Sequence, residues 1–333
     1  MSVAIFSVIS AEQQSVLNEV NKVAQSQGVT LLLVGGIIRD SFYNIPSKDV
    51  DLIVQSAQTN DFIDKLSLHF RAQSEKHERF LTAKILMPNS ITCITELDFV
   101  TPRRERYPHP GSLPLVEIGD IESDLKRRDF SINAVAVPLE QLSSLINAGG
   151  LDTFRNLALD LCDGVNDLDK RIIRVLHERS FIDDPTRILR AFRYKQRISG
   201  QFDSETAELI EQARSKNGFN TISAHRRLLE LRRVFTEMRP DLVLNDLSAQ
   251  NLLSATALFP GDKHQEFVKI FSALYVTKHN VSLWGDDKEK IGLAVWLYIY
   301  GEQAGGKILK SAGITRKRLV SLGPILDKLK NFL

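Results

Sequence analysis

The spacing of apolar residues changes part-way along the chain, and that change constrains the fold more than any other feature. Up to about residue 139 the apolar residues fall in short runs, at 31–34, 50–54, 80–87 and 94–101, bounded by Gly, Pro, Ser and Asn. Such runs predict strands. One exception precedes them: Val16, Leu17, Val20, Val23 and Ala24 recur at helical spacing over 11–27, with Gly28 as a stop signal. Beyond residue 139 the spacing is helical, over 169–176, 184–197, 204–213, 223–238 and onward to 333. The division predicts an α+β fold, a small mixed sheet with helices followed by an all-helical region. Segments 1–140, 141–235 and 236–333 are the expected domains, with no internal repeat.

With 333 residues the chain can bury a substantial core. Its 43% hydrophobic and 25% charged residues exclude a collagen-like rod or long disorder. Lys and Arg number 43 against 41 Asp and Glu, so no global field marks a nucleic-acid partner, and polyanion contacts must come from local clusters. Two cysteines, Cys93 and Cys162, make neither a disulfide framework nor a thiolate zinc site. The first ten residues lack a secretory pattern, and the most apolar stretch, 291–300, is too short to cross a bilayer. A cytoplasmic location without membrane contact is the expectation.

Asp49 and Asp51 stand two apart in a strand-like run, which puts both carboxylates on one face and Val50 and Leu52 on the other. Paired carboxylates suit a divalent cation shared with substrate phosphates, although Asp-x-Asp alone is common on solvated strand faces. Upstream, Gly35 and Gly36 at a strand end allow backbone N–H groups to approach a triphosphate, with Arg39 as a charge partner. Downstream, Asp98 on another strand is a candidate third ligand. The run 125–134, Leu-Lys-Arg-Arg-Asp-Phe-Ser-Ile-Asn-Ala, packs basic, acidic and amide groups together. There Arg128 suits a phosphate, and Asp129 and Asn133 suit ribose hydroxyls. A helix start with a solvated basic face explains the same residues equally well.

These motifs, Gly35-Gly-x-x-Arg-Asp40, Asp49-x-Asp51 and Arg127-Arg-Asp-Phe-Ser-Ile-Asn-Ala134, resemble in order those of the class II tRNA nucleotidyltransferase and bacterial poly(A) polymerase family. Later runs at 183–194 and 222–231 resemble its further motifs. The resemblance implies a nucleotidyltransferase palm as the head, a helical neck and a helical body. It implies Asp49, Asp51 and Asp98 as catalytic metal ligands for Mg²⁺, with Gly35, Gly36, Arg39, Arg128, Asp129 and Asn133 at the nucleotide. The implied reaction is attack of a tRNA 3′-hydroxyl on the α-phosphate of CTP or ATP with release of pyrophosphate, adding C and A. Partial CC-only or A-only addition and poly(A) tailing share the motifs. No protein partner is implied.

In the family, the segment at 183–194 reads the base. Cytosine and adenine each present an amino donor beside a ring-nitrogen acceptor, so Asp184 as acceptor and Arg187 as donor fit both, whereas uracil and guanine present the opposite polarity. Arg190 and Arg193 continue the basic row. Here Asp183 stands where the family has Glu, and an N-cap is the plain use of Asp184. Asp167 and Arg174 are candidates for a hinge salt bridge. Arg226 and Glu230 read as helix-stabilising, 74–79 as a turn or a mobile loop, and Lys307, Lys310, Arg316, Lys317 and Arg318 as a solvated face or a tRNA contact.

The run 301–307 matches Gly-x4-Gly-Lys, but Ile308 replaces the Ser or Thr that a phosphate loop needs. Two other classes remain, a non-catalytic RNA-binding module and a transferase acting on protein. The intact acidic set counts against the first, and the base-reading segment against the second.

Overall fold

The computed structural model describes residues 5–56, 58–91, 93–148, 150–276 and 287–332. It divides into two compact units, one of residues 1–108 and 113–177, the other of residues 109–112 and 178–333.

The first unit is a mixed sheet with helices. In chain order it holds α1 (Ala11–Gln25), β1 (Thr30–Val34), α2 (Gly36–Phe42), β2 (Asp49–Gln55), α3 (Thr59–Phe70), β3 (Gln73–His77), β4 (Thr82–Leu86) and β5 (Glu96–Val100). Then follow β6 (Arg103–Arg106), β7 (Leu115–Ile118), α4 (Ile121–Lys126), β8 (Val135–Pro138), α5 (Leu142–Ala148), α6 (Leu151–Leu157), β9 (Leu159–Asp160) and α7 (Gly164–Lys170). The sheet order is β3-β4-β5-β2-β1-β8-β9. Only β2 and β5 run parallel among the paired strands described here, and β6 and β7 form a separate hairpin. Four of the five residues of β1 are buried, as a central strand covered on both faces requires. Leu32, Val34, Ile53, Leu125 and Ala136 form one core cluster beneath it.

Helix α1 begins with a capping box, in which Ser10 accepts from the Gln13 amide and Gln13 accepts from that of Ser10. The Gln13 side chain then donates to the carbonyl of Ser47 at 2.7 Å and of Cys93 at 3.1 Å. One amide thus fixes the approaches to β2 and β5, the two strands that carry the acids.

The second unit is helical: α8 (Ser180–Asp183), α9 (Thr186–Arg197), α10 (Ser204–Ser215), α11 (Ala224–Phe235), α12 (Pro240–Ala249), α13 (Leu252–Ala255), α14 (His264–Val276), α15 (Lys288–Tyr300), α16 (Glu302–Ser311), α17 (Arg316–Val320) and α18 (Gly323–Phe332). Gly305 and Gly306 lie inside α16, so the 301–307 run is helix and not a phosphate loop. Among the described residues no helix is long and apolar enough to cross a membrane.

Three expectations change. The first unit continues past 140 to 177 because β9 pairs with β8 and extends the sheet. The helix expected over 169–176 is absent: α7 stops at Lys170, and Arg171 takes the left-handed conformation that ends it. The 74–79 segment is mostly an edge strand, β3, whose alternating exposed and half-buried residues hid its pairing with β4.

Candidate active site

Register across the sheet brings the acids together. Asp51 on β2 stands opposite Asp98 on β5, and Asp49 stands opposite Glu96. The next strand sets Lys84 opposite Asp98. Asp51, Asp98 and Lys84 therefore form one row over three strands, with Asp49 and Glu96 in the adjoining same-face row. Lys84 pairs closely with Glu96 and lies 3.5 Å from Asp98. Burial pushes the Asp98 carboxyl up to about 6; the Lys84 cation opposes this, while Asp51 and Glu96 add to it. Burial draws the Lys84 ammonium down, but its bonds to Glu96 and Asp98 outweigh that and the net shift is upward.

Gly35 ends β1 with φ +79°, a conformation that disfavours side chains. The space is tight as well. A β-carbon there would lie 3.1 Å from Asp51 Oδ2 and 3.3 Å from Arg128 Nη1. A bare backbone, a carboxylate and a guanidinium thus meet at one point. Arg128 Nε is buried without a hydrogen-bond partner. That orphaned donor fits an oxyanion ligand.

The other residues read from the sequence join a buried relay. Arg39 donates to Asp40 Oδ1 at 2.8 Å and to Asn133 Oδ1 at 2.8 Å. Asn133 donates to Asp129 Oδ1 at 2.9 Å, which also accepts from the Phe130 amide. The short 3-10 turn Ser131–Asn133 carries this relay, and Asp129, Ser131 and Asn133 are buried. A solvated basic face is excluded at those positions. Arg39 is 2% exposed and bonded to Asn133, so it orders the relay rather than standing open beside Gly36. Ser131 also donates to Asp167 at 2.6 Å, and Arg174 pairs with Asp167 at 2.9 Å, so the expected salt bridge forms.

In the second unit, Asp184 sits in the break between α8 and α9. Its Oδ1 accepts from the Thr186 amide and hydroxyl and from Arg226 Nη2 at 2.8 Å. Pro185 takes the N-cap position of α9, and Asp184, one residue earlier, satisfies the first amide of that helix, Thr186. All three bonds fall on Oδ1, which leaves Oδ2 its acceptor capacity. Arg187 is buried and donates to Ser180 at 2.9 Å, and Arg190 lies over the Tyr194 ring. Arg193 is held by Glu237 at 2.8 Å and Glu230 at 3.3 Å, a structural use of its charge. Arg226 is not merely helix-stabilising, since it reaches both Asp184 and the Gly111 carbonyl.

Sequence reasoning missed Lys84, Glu96 and Asp124. A lysine alternating within the apolar strand Thr-Ala-Lys-Ile-Leu was the available signal for the first, and the two-residue spacing to Asp98 for the second. The donor set, hard carboxylate oxygens without His or Cys, fits a hard divalent cation. Among the described residues no group of three or more acidic, histidine or cysteine side chains is placed to hold a metal ion. Such a set fits an ion whose coordination substrate oxygens complete.

Residues 31–174, nearly the whole first unit, match the poly A polymerase head domain, which defines the class of the palm. A Halalkalibacterium halodurans protein named A-adding tRNA nucleotidyltransferase is 33% identical over 70% of this chain and 51% of its own. A Deinococcus radiodurans CC-adding tRNA nucleotidyltransferase is 31% identical over 58% of this chain and 47% of its own. The chain spans about half the length of these curated relatives. Among solved structures, an apo CCA-adding enzyme aligns with TM-score 0.71 and 25% identity, covering 96% of this chain and 73% of that one. The first unit is thus a poly A polymerase head domain, and the chain as a whole is similar to tRNA nucleotidyltransferases.

Proposed function

We propose that the chain is a template-independent RNA nucleotidyltransferase that adds C and A to the 3′ end of tRNA from CTP and ATP, releasing pyrophosphate. The observation that carries this reading is the convergence of Asp51 Oδ2 and Arg128 Nη1 on the bare Gly35 backbone, with Nε of the same arginine buried and without a partner. Asp49, Asp51 and Asp98 would hold a divalent cation, Mg²⁺, which when bound lowers the pKa of the RNA hydroxyl and neutralises charge on the α-phosphate. Arg128 takes the phosphates, the Gly35 backbone admits them, and the Arg39–Asn133–Asp129 relay orients the sugar. On the second unit, Asp184 Oδ2 accepts from the base amino group and Arg187 donates to the ring nitrogen. A uracil or guanine would leave both unpaired, a discrimination of about 10⁴ or more in a site built for hydrogen bonding.

Transfer is read by offering tRNAs that end before, within and after CCA, each labelled nucleotide and Mg²⁺. Incorporation of C and A without U or G is expected, with loss of transfer in Asp49→Ala and Asp51→Ala. Absence of any incorporation by the wild-type chain rejects the reading. A-only addition is the second reading, favoured by the name of the Halalkalibacterium halodurans relative. It requires extension only of tRNA ending in CC. C without A indicates CC addition, and a run of A a poly(A) polymerase.

A further inference from the structure

Arg128 is held in place by a buried charge ladder that lies outside the acidic row. Its Nη2 donates to Asp124 Oδ2 at 3.0 Å. The other oxygen of Asp124 accepts from Arg127 Nε at 2.9 Å and Nη2 at 2.6 Å. Arg127 Nη1 then reaches Glu105 Oε1 at 3.0 Å, and the same oxygen accepts from Arg103 Nη2 at 2.7 Å. The Asp124 side chain is 0% exposed and that of Glu105 6%. Burial pushes the Glu105 carboxyl up, yet Arg127 and Arg103 beside it hold it below the ordinary range.

The geometry makes the ladder directional. Helix α4 starts on an Asp120 capping box and ends at Lys126, and Asp124 in its last turn pairs with Arg127 and Arg128, three and four residues further on. Three guanidinium groups share two carboxylates, leaving one positive charge in excess within the ladder. The Arg128 end is where that excess meets Gly35 and an unpartnered donor. A buried carboxylate with both oxygens occupied fixes the arginine and leaves it cationic; it does not quench it.

We propose that Asp124 is a positioning residue for the nucleotide, acting through Arg128 on the triphosphate, with Glu105 as the outer anchor. This rests on the functional reading above. Neither residue touches the nucleotide.

The test is steady-state transfer with ATP or CTP varied at saturating tRNA, on wild type, Asp124→Asn, Arg128→Met and the double variant. Asp124→Asn is expected to raise the nucleotide KM about tenfold while the KM for tRNA changes less than about twofold. The double variant is expected to match Arg128→Met alone, since the two act as one unit. Additive losses, or an unchanged nucleotide KM, overturn the proposal. Should Asp124→Asn fail to fold, Glu105→Gln carries the test, with a smaller rise of the same KM expected and none overturning it. Calorimetric ATP binding to wild type and variants separates the two readings. Absent transfer with intact ATP binding sinks the assigned reaction, whereas equal ATP affinity in wild type and Asp124→Asn sinks the ladder.

Discussion

Asp98 is the residue at which the site's electrostatics oppose stability. Its folded carboxyl titrates at about 6 against an ordinary 3.8, so between those values the folded chain binds the proton more tightly than the unfolded chain. Stability attributable to this group is therefore highest below about pH 4 and falls as pH rises through about 6. Asp98→Asn, with a chelator present, is expected to melt above wild type at about pH 8, and the gap should close towards about pH 4. Scanning calorimetry across that range checks it; a gap independent of pH would contradict the assignment. The acids themselves were legible from spacing, because a two-residue separation on a strand fixes a shared face. Glu96 carries the same two-residue signal beside Asp98 and was passed over, whereas Lys84 joins Asp98 through strand register, which one strand's sequence does not contain.

At the scale of elements, the relay depends on how closely α7 approaches the turn Ser131–Asn133. Gly164 opens α7, and a β-carbon there would run into the Ser131 carbonyl. Gly164→Ala is expected to destabilise the chain by about 1–3 kcal/mol, because backbone on both sides leaves little room to yield. Urea denaturation measures it, and an unchanged midpoint would show that the turn moves. The same region shows where pattern reading fails. Residues 169–176 have helical spacing, but Arg171 turns left-handed, and no periodicity reports a single residue's φ. Elements with strong local signals were legible: α1, with its Ser10 cap, and α9, with Ile188, Leu189 and Phe192 buried, fall within a few residues of expectation.

For the whole molecule, the informative fact is the path of the chain. Residues 109–112 interrupt the first unit's sequence but pack with the second, so the chain passes between units after 108, after 112 and after 177. Gly111 anchors the excursion: its amide donates to the Ile182 carbonyl at 3.1 Å, and its carbonyl accepts from Arg226 at 2.6 Å. With φ +69° and the Thr221 carbonyl 2.6 Å from where a β-carbon would be, it tolerates no larger residue. Gly111→Ala is expected to speed amide exchange in 180–235 while leaving β1 and β2 protected, as mass spectrometry would read. Faster exchange in those strands alone would refute it. Nothing in the composition of 109–112 announces this allegiance, because the contacts are more than sixty residues away. It also limits how such proteins recombine. A chimera joined once at 177, with sheet from one parent and helices from another, sets the helical parent's Ile182 and Arg226 against a 109–112 segment from the other ancestor, so compatible exchange needs a second graft at 109–112.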